Sequence, residues 1–263
     1  MKQLPLYFLL CLAGLLAAWG MALMAPDEAT PEHPGLRVYL GEGCIHCHSQ
    51  YRRPEGVDLQ MWGSPSDPVA EADRQHPVLF GNRRQGPDLS NVGLRRSRQW
   101  NRLHLQQPRE VRRGSRMPSY AYLFRDDDPR GEALLDYLQS LGEENREQWL
   151  QFIASWQPEV SLSGGDPVEG ERLYREYCAG CHGARGRGNG PVATQLEPAP
   201  RDLAQPSGWI WVTPNLAGAD RRLELARLIK FGRPGTSMAG TEWLEDRDLA
   251  NLIGFVDELE QNK

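Results

Sequence analysis

Cysteine and histidine are concentrated in two five-residue groups, Cys44-Ile45-His46-Cys47-His48 and Cys178-Ala179-Gly180-Cys181-His182, whose starts lie 134 residues apart. Cys-x-x-Cys-His is the spacing at which two thiols add across the two vinyl groups of a porphyrin while the following imidazole ligates the iron, the attachment chemistry of haem c. Two intervening residues let both sulfurs reach one ring from a single turn of chain. The fifth cysteine, Cys11, lies in an apolar run and reads as an apolar helix residue. No cysteine is left for a structural disulfide, so an oxidising compartment would pair these thiols unless another reaction consumed them. A zinc site built from Cys44, Cys47, Cys178 and Cys181 would leave the two adjacent histidines without a role, and a thioredoxin-like redox pair lacks its βαβ pattern. The expectation is therefore two covalently bound haem c groups, one on Cys44, Cys47 and His48 and one on Cys178, Cys181 and His182, with His46 a surface bystander.

A sixth ligand must lie downstream of each motif, where a thioether sulfur raises the potential and a second imidazole lowers it. The candidates in the first half are Met61, His76, His104 and Met117. Met117 stands in the Gly/Ser/Pro loop "GSRMPSY", 69 residues after His48, where a chain wrapping the far side of the ring should deliver it. In the second half no histidine follows His182, which leaves Met238 in "GTSMAG", 56 residues on. The far nitrogen of each proximal imidazole needs an acceptor to orient the ring. Gly86-Pro87-Asp88-Leu89 is the expected source for His48, and Gly190-Pro191 for His182. Between Arg83 and Arg116 ten arginines face two acids, a pattern for a solvated basic face or for binding of haem carboxylates or a partner.

Two such motifs need two sets of positioning elements, and an internal repeat supplies them. Gly35-Leu36-Arg37-Val38-Tyr39 precedes the first motif and Gly170-Glu171-Arg172-Leu173-Tyr174 the second, so a helix runs into each. The second helix starts with Asp166 as N-cap, Pro167 at its first position and Glu169 to close a capping box. Each unit ends in an amphipathic helix: Leu134, Leu135, Leu138 and Leu141, stopped by Gly142, then Leu249, Leu252, Ile253, Val256 and Leu259. Glu143 to Trp156 reads as a further helix with Trp149, Ile153 and Trp156 on one face, followed by a linker from Gln157 to Gly165. No strand pattern of useful length occurs.

The chain has 263 residues, room for two domains of about 100 residues and a connector. Its net charge of -5 argues against nucleic acid as a partner. Leu4 to Ala25 carries no charge, and as a helix it would reach about 33 Å, enough to span a bilayer core. Gly20-Met21-Ala22 offers a cleavage site, but the run exceeds the roughly 7 to 15 residues of a signal core, which favours an uncut anchor. Lys2 on the short side places everything after Pro26 across the membrane, in a periplasm for a Gram-negative source.

Beyond these motifs, "EGCIHCHSQYRRP", "HPVLFGNRRQGPDLSNVG" and "RSRQWNRLHLQQPREVRRGSRMPSYAYL" make residues 36 to about 141 closely resemble the mono-haem subunit II, often called CcoO or FixO, of C-type or cbb(3)-type cytochrome c oxidases. That resemblance implies a module seated beside the oxidase catalytic subunit, with Cys44 and Cys47 holding haem c and His48 and Met117 as axial ligands. "YCAGCHGARGRGNGPVATQLEPAPRDL" and "IKFGRPGTSMAGTEWLEDRDLANLIGFV" make residues 166 to 259 resemble a class I cytochrome c, with Met238 where that family keeps its ligand. "MA" replaces the usual "MP". The fusion departs from the family pattern, in which subunit II carries one haem and the dihaem subunit is a separate chain.

The expected fold class is all-α, an N-terminal transmembrane helix followed by two cytochrome c folds. Its divisions are an anchor over 1–26, a CcoO-like domain over 27–142, a helical linker over 143–165 and a class I cytochrome c domain over 166–263. The expected function is electron transfer by a membrane-anchored dihaem cytochrome, from a soluble cytochrome c or copper protein to a haem-copper oxidase catalytic subunit. Electrons would pass through the His182 side first and the His48 side second. A free-standing shuttle to other reductases, such as nitric oxide reductase, needs the same two sites. A dihaem peroxidase would need one iron with an open sixth position, and each iron here has a methionine candidate.

Overall fold

Both halves begin with a short helix whose glycine and tyrosine lie on the buried face, and those two residues explain the packing of each half. The computed structural model describes residues 11–15, 33–74, 78–205 and 221–261. Residues 1–32 and 33–263 form two separate compact units. In the second unit the helices are α1 (Pro34–Gly41), α2 (Asp58–Trp62), α3 (Pro68–Arg74), α4 (Val92–Arg95), α5 (Arg98–Gln106), α6 (Pro108–Val111), α7 (Pro129–Ser140), α8 (Arg146–Ser155), α9 (Pro167–Tyr177), α10 (Ala179–His182), α11 (Arg221–Phe231) and α12 (Asp246–Gln261). Among the described residues the sole β-pairing is an isolated bridge between Gly232 and Ala239.

His33 caps α1 by accepting from the Gly35 N–H, and Asp166 caps α9 by accepting from the Val168 N–H. The capping box does not close. The Asp166 N–H donates instead to Asn251 Oδ1 of α12 at 2.8 Å, and Glu169 pairs with Arg172. A crossing helix already satisfies the amide that Glu169 would have reached, which leaves its carboxylate to the solvent side.

α1 crosses α7 and α9 crosses α12 at the paired glycines. A β-carbon at Gly35 would stand 2.0 Å from the Ala133 carbonyl oxygen, and one at Gly170 2.0 Å from that of Asn251. Only glycine lets these backbones meet. Tyr39 and Tyr174, each 1% exposed, follow one turn later into the two cores. The first core gathers Leu79, Val92, Leu105, Leu123 and the α7 stripe; the second gathers Leu173, Leu225, Leu244 and the α12 stripe. The two leucine-rich stripes read from the sequence are thus the floors of the two lobes.

The lobes are fastened to each other. α8 and the residue that caps it lay Trp149, Phe152, Ile153 and Trp156 around Phe231, with Leu94 of the first lobe in the same cluster. The ring centroids of Trp149, Phe152 and Trp156 lie 5.8, 5.6 and 5.5 Å from that of Phe231, all edge-on. Below them Arg95 and Arg96 reach Glu242 at 3.3 and 2.7 Å, with the three side chains 1%, 3% and 0% exposed.

One expectation is corrected. Among the described residues no helix is long and apolar enough to cross a membrane, so the fold they form is all-α with two cytochrome c-like lobes, and the N-terminal transmembrane helix expected over residues 1–26 is not part of it. Residues 11–15 are helical with exposed side chains, and the remainder of Leu4 to Ala25 lies outside the described residues.

Candidate functional site

The first cysteine motif leaves α1 through Gly43, in a left-handed conformation at φ 72°, and turns as a 3-10 helix over Cys44–His46. Backbone bonds from Cys47 N to Cys44 O and from His48 N to Cys44 O tighten that turn, and Cys181 N and His182 N repeat it on Cys178 O. Both motifs therefore present two sulfurs and one imidazole from a single turn. Burial pushes the Cys44 and Cys178 thiols up to about 12 and Cys181 to about 11. All three are neutral thiols in an apolar wall.

His48 Nδ1 donates to the Pro87 carbonyl at 2.8 Å, which leaves Nε2 for a metal. The approach is close enough that a β-carbon at Gly86 would stand 2.3 Å from His48 Cε1. Asp88 then staples the strip "GPDLS" to the strip "HSQY": its carboxylate accepts from Ser49 Oγ at 2.5 Å and from the Tyr51 N–H at 2.9 Å. Leu89 N adds a backbone bond to Ser49 O at 2.7 Å. His182 Nδ1 donates to the Arg201 carbonyl at 3.1 Å. The acceptor for His48 is the one expected; that for His182 comes from the "PAPRDL" loop and not from Gly190-Pro191. Burial lowers the pKa of both imidazoles, so each is neutral and its Nε2 lone pair is free.

A cavity of about 610 Å³ reaches both motifs, a volume typical of cofactor sites. Cys44, His48 and Met117 line it from the first lobe, and Cys178, Cys181, His182 and Met238 from the second. The Met117 N–H donates to Ser115 Oγ at 3.3 Å and the Met238 N–H to Thr236 Oγ1 at 3.2 Å. "GSRM" and "GTSM" are therefore one local device used twice, in which a hydroxyl two residues earlier fixes the loop that carries the sulfur. That repeat was present in the sequence as Gly-Ser/Thr-x-Met and was the missed signal.

The other ligand candidates separate cleanly. His104 lines the cavity, stacked on Trp100 with centroids 4.6 Å apart, and burial pulls its pKa down to about 3. Met61 sits on α2 and is not among the cavity-lining residues. His76 lies outside the described residues. His46 faces outward and meets Asn82 at 3.1 Å. Cys47 is absent from the cavity lining, its sulfur 4.0 Å from Gln85 Oε1. Six of the ten arginines of the run form ion pairs: Arg84 with Asp58, Arg95 and Arg96 with Glu242, Arg98 and Arg102 with Glu132, and Arg112 with Glu176 at 3.9 Å.

The donor set fits haem c in each lobe: two sulfurs, a neutral imidazole with one nitrogen already oriented, and a thioether on the same cavity. Comparison with known families agrees. Residues 25–134 match the family described as cytochrome c oxidase, mono-heme subunit/FixO, and residues 167–260 match the cytochrome c family. No curated protein matches the chain. Among solved structures, a reducing HAO-like protein complex of Kuenenia stuttgartiensis aligns with 89% of this chain and 98% of its own at 19% identity, with a TM-score of 0.29. Cytochrome c domains bind haem c covalently, and the Cys44/Cys47 and Cys178/Cys181 pairs carry the attachment spacing.

Proposed function

We propose that this chain, which joins a FixO-type segment to a cytochrome c domain and is a c-type cytochrome of electron transfer, carries electrons from a soluble donor to the catalytic subunit of a haem-copper oxidase. The single observation that supports it best is the one cavity lined by Cys44, His48 and Met117 of the first lobe and by Cys178, Cys181, His182 and Met238 of the second. Bound haem iron supplies a one-electron couple in each lobe. His48 and Met117 would hold the iron of the first haem, and His182 and Met238 that of the second. Met117 and Met238 bring thioether sulfur, which favours the reduced state and a high potential. Cys44, Cys47, Cys178 and Cys181 fix each ring by thioether bonds. Neither matched family is catalytic by itself, and the chain acts as a subunit and not as an enzyme on its own.

Direction follows from the division of labour between the lobes. The segment resembling an oxidase subunit is the first, so it faces the oxidase, and the second lobe receives electrons from a soluble cytochrome c or copper protein. Both lobes work in the periplasm, where thioether attachment protects the four thiols from pairing with one another. Affinity purification of the tagged chain in mild detergent tests this reading. A haem-copper catalytic subunit should co-purify, and adding a reduced soluble donor should support oxygen uptake. A chain that migrates alone and reduces no oxidase contradicts it.

A further inference from the structure

Gln99, at the start of α5 in the first lobe, bonds through its side-chain amide to two separate strips of the second. Its Nε2 donates to the Gln195 carbonyl at 2.5 Å, while its Oε1 accepts from the Glu197 N–H at 2.9 Å and from Ser237 Oγ at 3.2 Å. A backbone N–H can only donate and a carbonyl can only accept, so a single orientation of the amide serves both. Ser97 completes the chain. Its Oγ accepts from the Trp100 N–H at 3.1 Å and lies 2.8 Å from Ser237 Oγ. With the one Ser237 proton given to Gln99, Ser97 is the donor in that pair.

Each of the two strips serves one axial side of the second site. Ser237 is 5% exposed and immediately precedes Met238. The other strip runs from Gln195 to Arg201, whose carbonyl accepts from His182 Nδ1, and Pro198, Ala199 and Pro200 between them line the cavity. Its two prolines fix φ, so anchoring Gln195 and Glu197 limits where the Arg201 carbonyl stands. The bond from the Met238 N–H to Thr236 Oγ1 shapes the methionine loop from within but does not tie it to the opposite strip. One oxygen, Gln99 Oε1, is bonded to both strips.

We propose that Gln99 is a positioning residue for the haem of the other lobe: it holds the strip that carries Met238 and the strip that orients His182 at one fixed separation, with Ser97 as its support. The second lobe thereby takes part of its ligand geometry from the first. This inference rests on the reading of His182 and Met238 as the axial pair.

Imidazole binding and redox titration of the full-length dihaem protein test it. The second lobe's signals are those lost when Cys178 and Cys181 are both changed to alanine. Gln99→Leu keeps much of the side-chain volume and removes every bond of the amide. Free imidazole competes with thioether for ferric iron, so a loosened Met238 loop should let it bind the second lobe about tenfold tighter, a change the loss of one or two hydrogen bonds can supply. The thioether-to-ferric-iron charge-transfer absorption of that lobe should weaken and its potential should fall, with the first lobe unchanged. Ser237→Ala cuts only the Met238 strip and should shift both readings in the same direction by less. Unchanged imidazole affinity and potential in both variants, or equal changes in the two lobes, overturn the proposal. If Gln99→Leu does not fold, Ser237→Ala decides alone. Met238→Ala separates the two failures: if it leaves the second lobe's thioether absorption intact, the ligand reading and the proposal fall together, whereas if that absorption vanishes while Gln99→Leu and Ser237→Ala change nothing, only the role of Gln99 falls.

Discussion

At the scale of single residues, the two imidazoles show what a sequence can and cannot disclose. The His48 acceptor was readable because "GPDL" stands in a segment rich in loop formers, where backbone carbonyls are not consumed by a helix ladder. The His182 acceptor was not readable: Arg201 lies 19 residues away in a loop whose course depends on the lobe around it. The two Cys-x-x-Cys-His groups were legible as haem-attachment spacing, since that pattern is local. The methionines were legible only as candidates, because delivery across a cavity is a tertiary fact, and the hydroxyl at position −2 is the local signature that joins them. Met117→His should replace thioether with imidazole and lower the potential of the first lobe's step, and Met238→His should lower that of the second. Redox titration of each variant gives the result directly; a variant that leaves its step unmoved shows that the methionine is not an axial ligand.

At the scale of elements, the Gly-x-x-x-Tyr repeat was visible as a repeat, but its meaning emerges from the crossing it serves. Helical periodicity located the α7 and α12 stripes because burial of one face leaves a 3.6-residue signature. It could not show that α1 and α9 each lie across those stripes at a distance set by the absence of a side chain. Gly35→Ala and Gly170→Ala should each force two backbones apart and cost about 1–3 kcal/mol, the usual penalty of overpacking. Gly41→Ala is the control on the same helix, since a β-carbon there meets nothing within 4 Å. It should be neutral or stabilising by up to about 1 kcal/mol. Denaturant midpoints of the three variants discriminate: equal losses at Gly35 and Gly41 would mean that helix propensity, and not the crossing, governs α1.

At the scale of the whole molecule, neither composition nor periodicity announces that the two halves share a buried charge cluster, because its members stand 146 residues apart in Arg96 and Glu242. The cluster also ties the two sites together. Arg95 donates to the Asp88 carbonyl behind His48, and Arg96 donates to the Gly240 carbonyl at 2.9 Å, two residues after Met238. Burial alone would raise the Glu242 pKa, but the fields of Arg96 and Arg95 and the bonds they form hold it below the ordinary 4.5. A carboxylate whose folded pKa is depressed contributes its stability above the unfolded value of about 4.5 and loses it as pH falls through the folded one. Acid should therefore weaken the seam between the lobes below about pH 4.5, with the loss growing as the folded-state pKa is passed. Glu242→Gln removes the counter-charge at every pH and leaves two arginines buried against each other, a change that typically costs about 3–5 kcal/mol. Scanning calorimetry of the dihaem protein at neutral pH should show this variant melting earlier, with the acid-dependent part of the loss abolished. Because Arg95 and Arg96 hold the loops behind both irons, the potentials of both lobes should move together. A Glu242→Gln protein that kept the unaltered melting profile and acid sensitivity would show that the aromatic wedge of α8, and not the charge cluster, holds the lobes in register.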